Sequence, residues 1–171
     1  MNIAAQSPAQ TDQTIYLKDY QKPSFLVESI HLDIQLHDHQ TFVNSTLVMK
    51  RQTAGELILL GRDLELKSVV LNGQLLTAEQ YRLDSEQLVI IDAPDEVIIE
   101  TQVIIHPESN TQLEGLYQAG DLFVTQNEPE GFRKITFYPD RPDVLSVFTT
   151  RVEADKKYPV LLANGNLLET G

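Results

Sequence analysis

The chain has 171 residues, 42% of them hydrophobic, with a formal charge of −12 from 13 basic and 25 acidic side chains, and neither cysteine nor tryptophan. That length suits one well-packed domain rather than two, and the apolar content excludes general disorder. The charge argues against nucleic acid and against an anionic membrane surface as partners, because both need a basic face. Without cysteine there is no disulfide, thiolate metal site or thiol nucleophile.

Residues 1–13 are polar and read as a flexible arm, with no basic or apolar stretch of signal-peptide type. No apolar run approaches the ~18 residues of a membrane helix, so a cytoplasmic location is expected. Phe25 to Leu36 alternates as a strand, with Leu32, Ile34 and Leu36 on one face and His31, Asp33 and Gln35 on the other. A turn at His37-Asp38-His39-Gln40 reverses the chain into Thr41 to Lys50, where Val43, Leu47 and Met49 share a face. Glu56 to Leu60 is a short apolar strand. Leu64 to Leu71 runs into Asn72-Gly73, a two-residue hairpin signal because both residues accept positive φ, and Gln74 to Leu76 begins the return. Gln87 to Ile91 and Glu96 to Ile105 follow as strands, with Pro107 closing the second.

Beyond Pro107 a loop with Gly115 and Gly120 leads to a strand over Asp121 to Gln126, then to the turn-rich run Asn127-Glu128-Pro129-Glu130-Gly131. Arg133 to Tyr138 reads as a strand. Asp140-Arg141-Pro142-Asp143 reads as the start of one short helix near 140–147, capped by Asp140. Phe148 to Ala154 and Pro159 to Ala163 read as the last strands before the tight turn Asn164-Gly165. Residues 14–171 are therefore expected to form a single β-rich domain, ending before its last strands.

Most chemical motifs are absent. His37 and His39 form an H-x-H pair at a solvated turn, with only His31 and His106 as further imidazoles, whereas zinc needs three or four converging ligands. No serine sits in a G-x-S-x-G context, and the glycines lack phosphate-cradling spacing. Paired carboxylates raise a glycosidase, but the lack of tryptophan disfavours a sugar platform. Gln126 and Glu128 are two apart and would share a face if the strand reached that far, while Glu128 and Glu130 could equally be exposed loop acids.

Three stretches carry a family resemblance: Leu113-Glu114-Gly115-Leu116-Tyr117-Gln118-Ala119-Gly120, then Thr125-Gln126-Asn127-Glu128-Pro129-Glu130-Gly131-Phe132-Arg133, then Ile135-Thr136-Phe137-Tyr138-Pro139-Asp140-Arg141-Pro142-Asp143-Val144. The likeness continues through Phe148-Thr149-Thr150 and through Tyr158 to Asn166, and more weakly back to about Tyr20. These segments resemble the amino-terminal domain of the bacterial aminopeptidase N family of zinc exopeptidases. The resemblance implies an antiparallel β-sandwich, saddle-like, packed beside a thermolysin-like catalytic domain that bears H-E-x-x-H and G-A-M-E-N motifs. Neither motif occurs here, so no catalytic residue and no metal ligand is assigned in this chain, and zinc is expected in the full-length enzyme rather than bound by this chain alone. Carried over onto this sequence, Gln126 lines the pocket for the first side chain of a peptide substrate, and Glu128 helps to hold its α-ammonium. Asn127 and Pro129, which flank the glutamate, are a local departure from the pattern, and Pro129 permits a cis bond before it.

Two other readings stand beside this one. A free-standing β-sandwich interaction module would have a protein partner and no chemistry, and a carbohydrate-binding module is disfavoured by the missing tryptophan. Self-association through exposed late edge strands is a further expectation.

Overall fold

The computed structural model describes residues 16–171. The arm expected over residues 1–13 lies outside the described residues. Strands β1 (Phe25–His37) and β2 (Gln40–Arg51) form a long hairpin closed by Asp38-His39. Its apolar alternation contains a phase break. Phe25 and Val27 are buried, and so are Ile30, Leu32 and Leu36. A register shift between Val27 and Ser29 inserts one extra residue, which turns the inward face from odd to even positions.

Next come β3 (Leu57–Leu60), β4 (Glu65–Leu71) and β5 (Gln74–Leu75). Asn72 and Gly73 join the last two with φ of 49° and 80°, the left-handed geometry that their sequence calls for. Then β6 (Tyr81–Leu83), β7 (Gln87–Ile90) and β8 (Glu96–Ile105) complete the first two-thirds of the chain. The final strands are β9 (Gly115–Ala119), β10 (Leu122–Gln126) and β11 (Val147–Ala154). β9 lies where the sequence alone suggests loop and β6 where it marks no element, because each is short and lacks β-branched alternation.

The strands assemble into a six-stranded sheet in the order β11-β1-β2-β8-β4-β5, a three-stranded sheet β3-β7-β6 and the β9-β10 hairpin. Val43, Leu47 and Met49 of β2 and Val97, Ile99, Val103 and Ile105 of β8 join Leu57, Leu59, Leu88 and Ile90 of the smaller sheet in one buried cluster. This is a mostly β sandwich. Among the described residues the pairing is antiparallel except at one place: β11 runs parallel to β1, with Ile30 opposite Phe148. The two are far apart in sequence, so no hairpin sets their relative direction.

Inside the sandwich lies a small polar cluster. Ser45 and Thr101 hydroxyls are 2.8 Å apart, and Thr136 Oγ1 is 3.0 Å from Ser45 Oγ. These residues are at most 3% exposed, so each hydroxyl needs the others.

Three expected elements are absent. Arg133 to Tyr138 is not a strand, since Phe132–Lys134 forms a 3-10 turn and Ile135 N–H donates back to Phe132 O at 2.9 Å. Only Tyr138 keeps strand pairing, exchanging two backbone bonds with Leu60 at 2.8 and 3.0 Å. No helix covers 140–147. Asp140 turns its carboxylate to Arg133 rather than capping the following residues, and the Asp140 and Arg141 N–H groups donate two residues back, to Tyr138 O and Pro139 O, both at 2.8 Å. Pro159 to Ala163 has no ladder partner and is largely exposed.

Candidate functional site

The β9-β10 hairpin ends with Gln126 opposite Gly115. Gly115 has φ of 70°, and a Cβ on it would lie 2.6 Å from Lys134 Cβ, so only glycine lets the base of the hairpin approach the following loop. Gly131 is packed as tightly. A Cβ there would overlap the Gln126 carbonyl and lie 2.8 Å from Asn127 Cα. Between these contacts runs the turn 127–131, closed by Gly131 N–H donating to Asn127 O at 3.0 Å and containing a cis Glu128–Pro129 bond.

Because β10 stops at Gln126, strand alternation does not extend to Glu128, and the shared-face reading from spacing does not apply. The two residues are nevertheless adjacent: Gln126 Nε2 donates to Glu128 O at 3.3 Å. Both side chains are exposed.

Four carboxylates occupy this segment, and they differ in what they touch. Glu130 pairs with Arg133 at 3.2 Å. Asp140 accepts from the same arginine, at 2.9 Å from Nε. Asp143 is held below the usual carboxylate range, first by its hydrogen bond to Arg141 at 2.7 Å, with burial opposing and the Tyr20 hydroxyl assisting. Among the described residues, the Glu128 carboxylate has no basic or hydrogen-bonding partner. That difference is invisible in the spacing of the acids.

Arg133 and Lys134 hold the base of the loop, and neither stands out in sequence. Lys134 is 5% exposed. Its Nζ donates to Asp63 Oδ2 at 2.6 Å and to Gln112 Oε1, beside a cavity of about 280 Å³ also lined by His106 and Asn110. Phe132 packs edge-on against Tyr138 and Phe148, with ring centroids 5.1 and 5.7 Å away, which ties the loop to β11.

The imidazoles do not converge. His39 lies in the β1-β2 turn, His37 packs edge-on against Phe42, and His106 bonds His39 O and Glu65. Among the described residues no three His, Asp or Glu side chains are grouped to hold a metal. No helix among them is long and apolar enough to cross a membrane.

A two-sheet sandwich with this hairpin and loop has clear relatives. The chain belongs to the Peptidase M1 N-terminal domain family, which it matches over residues 18–171. It is 45% identical over 164 residues to aminopeptidase N of Caulobacter vibrioides, covering 94% of this chain and 19% of that protein. To aminopeptidase N of Escherichia coli it is 43% identical over 165 residues, covering 95% of this chain and again 19% of the relative. The chain thus spans about a fifth of the length of these curated relatives. Among solved structures, Legionella pneumophila aminopeptidase A in complex with aspartic acid superposes with a TM-score of 0.81 at 30% identity, over 90% of this chain and 19% of that one.

Proposed function

We propose that this domain works within a longer zinc-dependent aminopeptidase, where it recognises the free amino terminus of a peptide. Glu128 holds the substrate α-ammonium and Gln126 lines the pocket for the first side chain. The observation that carries this reading is the unpartnered carboxylate. Glu130, Asp140 and Asp143 are each engaged by an arginine. An incoming ammonium would have to displace those contacts, whereas Glu128 can accept it with none to break.

The chemistry suits an exopeptidase. An α-amine, with a pKa of about 7.7–8.0, is largely protonated near neutrality and marks a chain end. A carboxylate on a turn braced against a rigid sheet fixes the register of the substrate, so that the first peptide bond meets the catalytic centre. Zinc would supply the activated water in the longer protein. The described residues of this chain do not fit that ion, since no three His, Asp or Glu side chains among them are grouped to hold it; its ligands would belong to the catalytic domain. A cytoplasmic location, and pairing of isolated copies through the edge strand β11, belong to the same reading.

The test is made in the full-length protein with an alanyl substrate. Glu128→Ala removes a charge-assisted contact of about 1.5–3 kcal/mol and should lower kcat/KM by about tenfold to a hundredfold. Glu130→Ala should change it by less than about threefold, because an exposed ion pair contributes little. If Glu130→Ala is crippled and Glu128→Ala is normal, the assignment of the amine-binding carboxylate is wrong.

A further inference from the structure

The turn that carries Glu128 has little internal support. Pro129 supplies no N–H, and one backbone bond, from Gly131 to Asn127 at 3.0 Å, closes the turn. Its entrance is set by the close contact of Gly131 with the end of β10. Its exit is set by Arg133. The Asp140 carboxylate accepts the Arg133 backbone N–H at 3.0 Å and Nε–H at 2.9 Å, while the Asp140 carbonyl accepts Nη2–H at 2.9 Å. The two side chains are only 12% and 10% exposed. Asp140 is in turn anchored to the sandwich: its N–H donates to Tyr138 O at 2.8 Å, and Tyr138 exchanges two backbone bonds with Leu60 of β3. A continuous set of contacts therefore runs from β3 through Tyr138 and Asp140 to Arg133 and the foot of the turn.

We infer that Arg133 and Asp140 are positioning residues for amine recognition: they pin the exit of the 127–131 turn and so set where the Glu128 carboxylate meets the substrate ammonium. The inference rests on the reading of Glu128 given above. Neither residue needs to touch substrate. The guanidinium fork is required because one group must satisfy a side-chain oxygen and a backbone oxygen of the same residue, which an ammonium point charge cannot do with the same geometry. A binding group must be held within about 0.5 Å of its productive place, so slack at the turn exit is felt in substrate affinity.

The experiment measures kcat and KM of the full-length protein with an alanyl substrate. The variants are Glu128→Ala, Asp140→Asn, Arg133→Lys and the combination of Asp140→Asn with Glu128→Ala, each checked by thermal melting. Asp140→Asn keeps the side-chain volume while removing the charge. It should raise KM by about fivefold or more and leave kcat within about twofold, since ammonium binding is common to ground and transition states. Arg133→Lys should do the same, and it carries the test alone if Asp140→Asn does not fold. Once Glu128 is alanine, Asp140→Asn should add less than about twofold, because its effect acts through the missing carboxylate. A loss confined to kcat, or a full multiplication of the two single losses, would overturn the positioning role. An unchanged KM in Glu128→Ala would instead overturn the reading of Glu128, and the inference with it.

Discussion

Gly131 and Gln126 are in such close contact that no side chain fits between them. A Cβ on Gly131 would overlap the Gln126 carbonyl and also lie 2.8 Å from Asn127 Cα and 2.9 Å from the Gly115 nitrogen. All three obstacles are backbone, so none can swing aside. The φ of Gly131 is −85°, allowed for any residue, and the constraint is therefore one of space rather than of conformation. Gly131→Ala should destabilise the domain by about 1–3 kcal/mol through overpacking. Urea unfolding of this chain would show it, and an unchanged midpoint would mean that the loop shifts freely.

Ser45 is the hub of the buried hydroxyl cluster, 2.8 Å from Thr101 and 3.0 Å from Thr136. Ser45→Ala leaves both threonine hydroxyls without that partner at positions at most 3% exposed. The expected cost is about 1–3 kcal/mol, more than the single methylene-sized change suggests. Chemical denaturation would measure it. A loss below about 0.5 kcal/mol would mean that the threonines find other partners or water.

How much of this was legible follows from where the constraints lie. The hairpins at Asp38-His39 and Asn72-Gly73 are written locally, in residues that accept tight turns. The extra residue between Val27 and Ser29 was not, because Phe25 to Leu36 reads as smooth alternation unless the break after Val27 is noticed. The segment 133–147 misled on both counts. A run such as Arg133 to Tyr138 has strand-like residues, and Asp140 before Pro142 has the form of a helix cap. Both local preferences lost to other bonds: the Phe132–Lys134 turn takes the Ile135 and Thr136 N–H groups that a strand would offer, and Arg133 takes the Asp140 carboxylate that a helix cap would need. The parallel pairing of β11 with β1 joins residues more than a hundred positions apart and leaves no local mark. At the site, family resemblance is what singles out Gln126 and Glu128. Spacing alone puts Glu130 in the same series, and only the structure reveals that its charge is engaged by Arg133.

His106 joins three elements, with Nδ1 3.0 Å from His39 O, Nε2 2.9 Å from Glu65 Oε1, and Glu108 3.5 Å away. Its pKa is raised above the ordinary histidine value, first by the Glu65 hydrogen bond and then by the His39 carbonyl, with burial opposing. Glu65 is lowered, first by His106 and then by Lys67. Both ring nitrogens can donate only in the cation. A raised pKa means that the folded state holds the proton more tightly, so this contribution is full below about pH 6.5 and fades as pH rises through the higher folded value. The stability of the native chain should therefore fall with pH just above 6.5 more steeply than that of His106→Gln. Denaturation midpoints across pH 5.5–8.5 would compare the two, and parallel curves would exclude the effect.

This chain alone should hydrolyse no alanyl substrate, with or without added zinc, because its described residues include no grouped metal ligands. Zinc-dependent turnover that copurifies with the chain through several columns would contradict that expectation.

Gln126 and Glu128 should be separable by substrate rather than by overall rate. Glu128 is assigned to the ammonium, which every unblocked peptide carries, so Glu128→Ala should lower kcat/KM for alanyl, leucyl and arginyl substrates by similar factors. Gln126 is assigned to the pocket for the first side chain, which differs among the three. Among the described residues its amide makes one long bond, 3.3 Å to Glu128 O, and is otherwise free to turn toward a ligand. Gln126→Ala removes a neutral contact of about 0.5–1.5 kcal/mol, a loss of roughly twofold to tenfold. It also enlarges the pocket, so the loss should shrink or reverse for the larger leucyl and arginyl groups. The decisive quantity is the ratio of kcat/KM values between substrates within each variant. An unchanged ratio in Gln126→Ala, together with a strongly altered ratio in Glu128→Ala, would require the two roles to be exchanged.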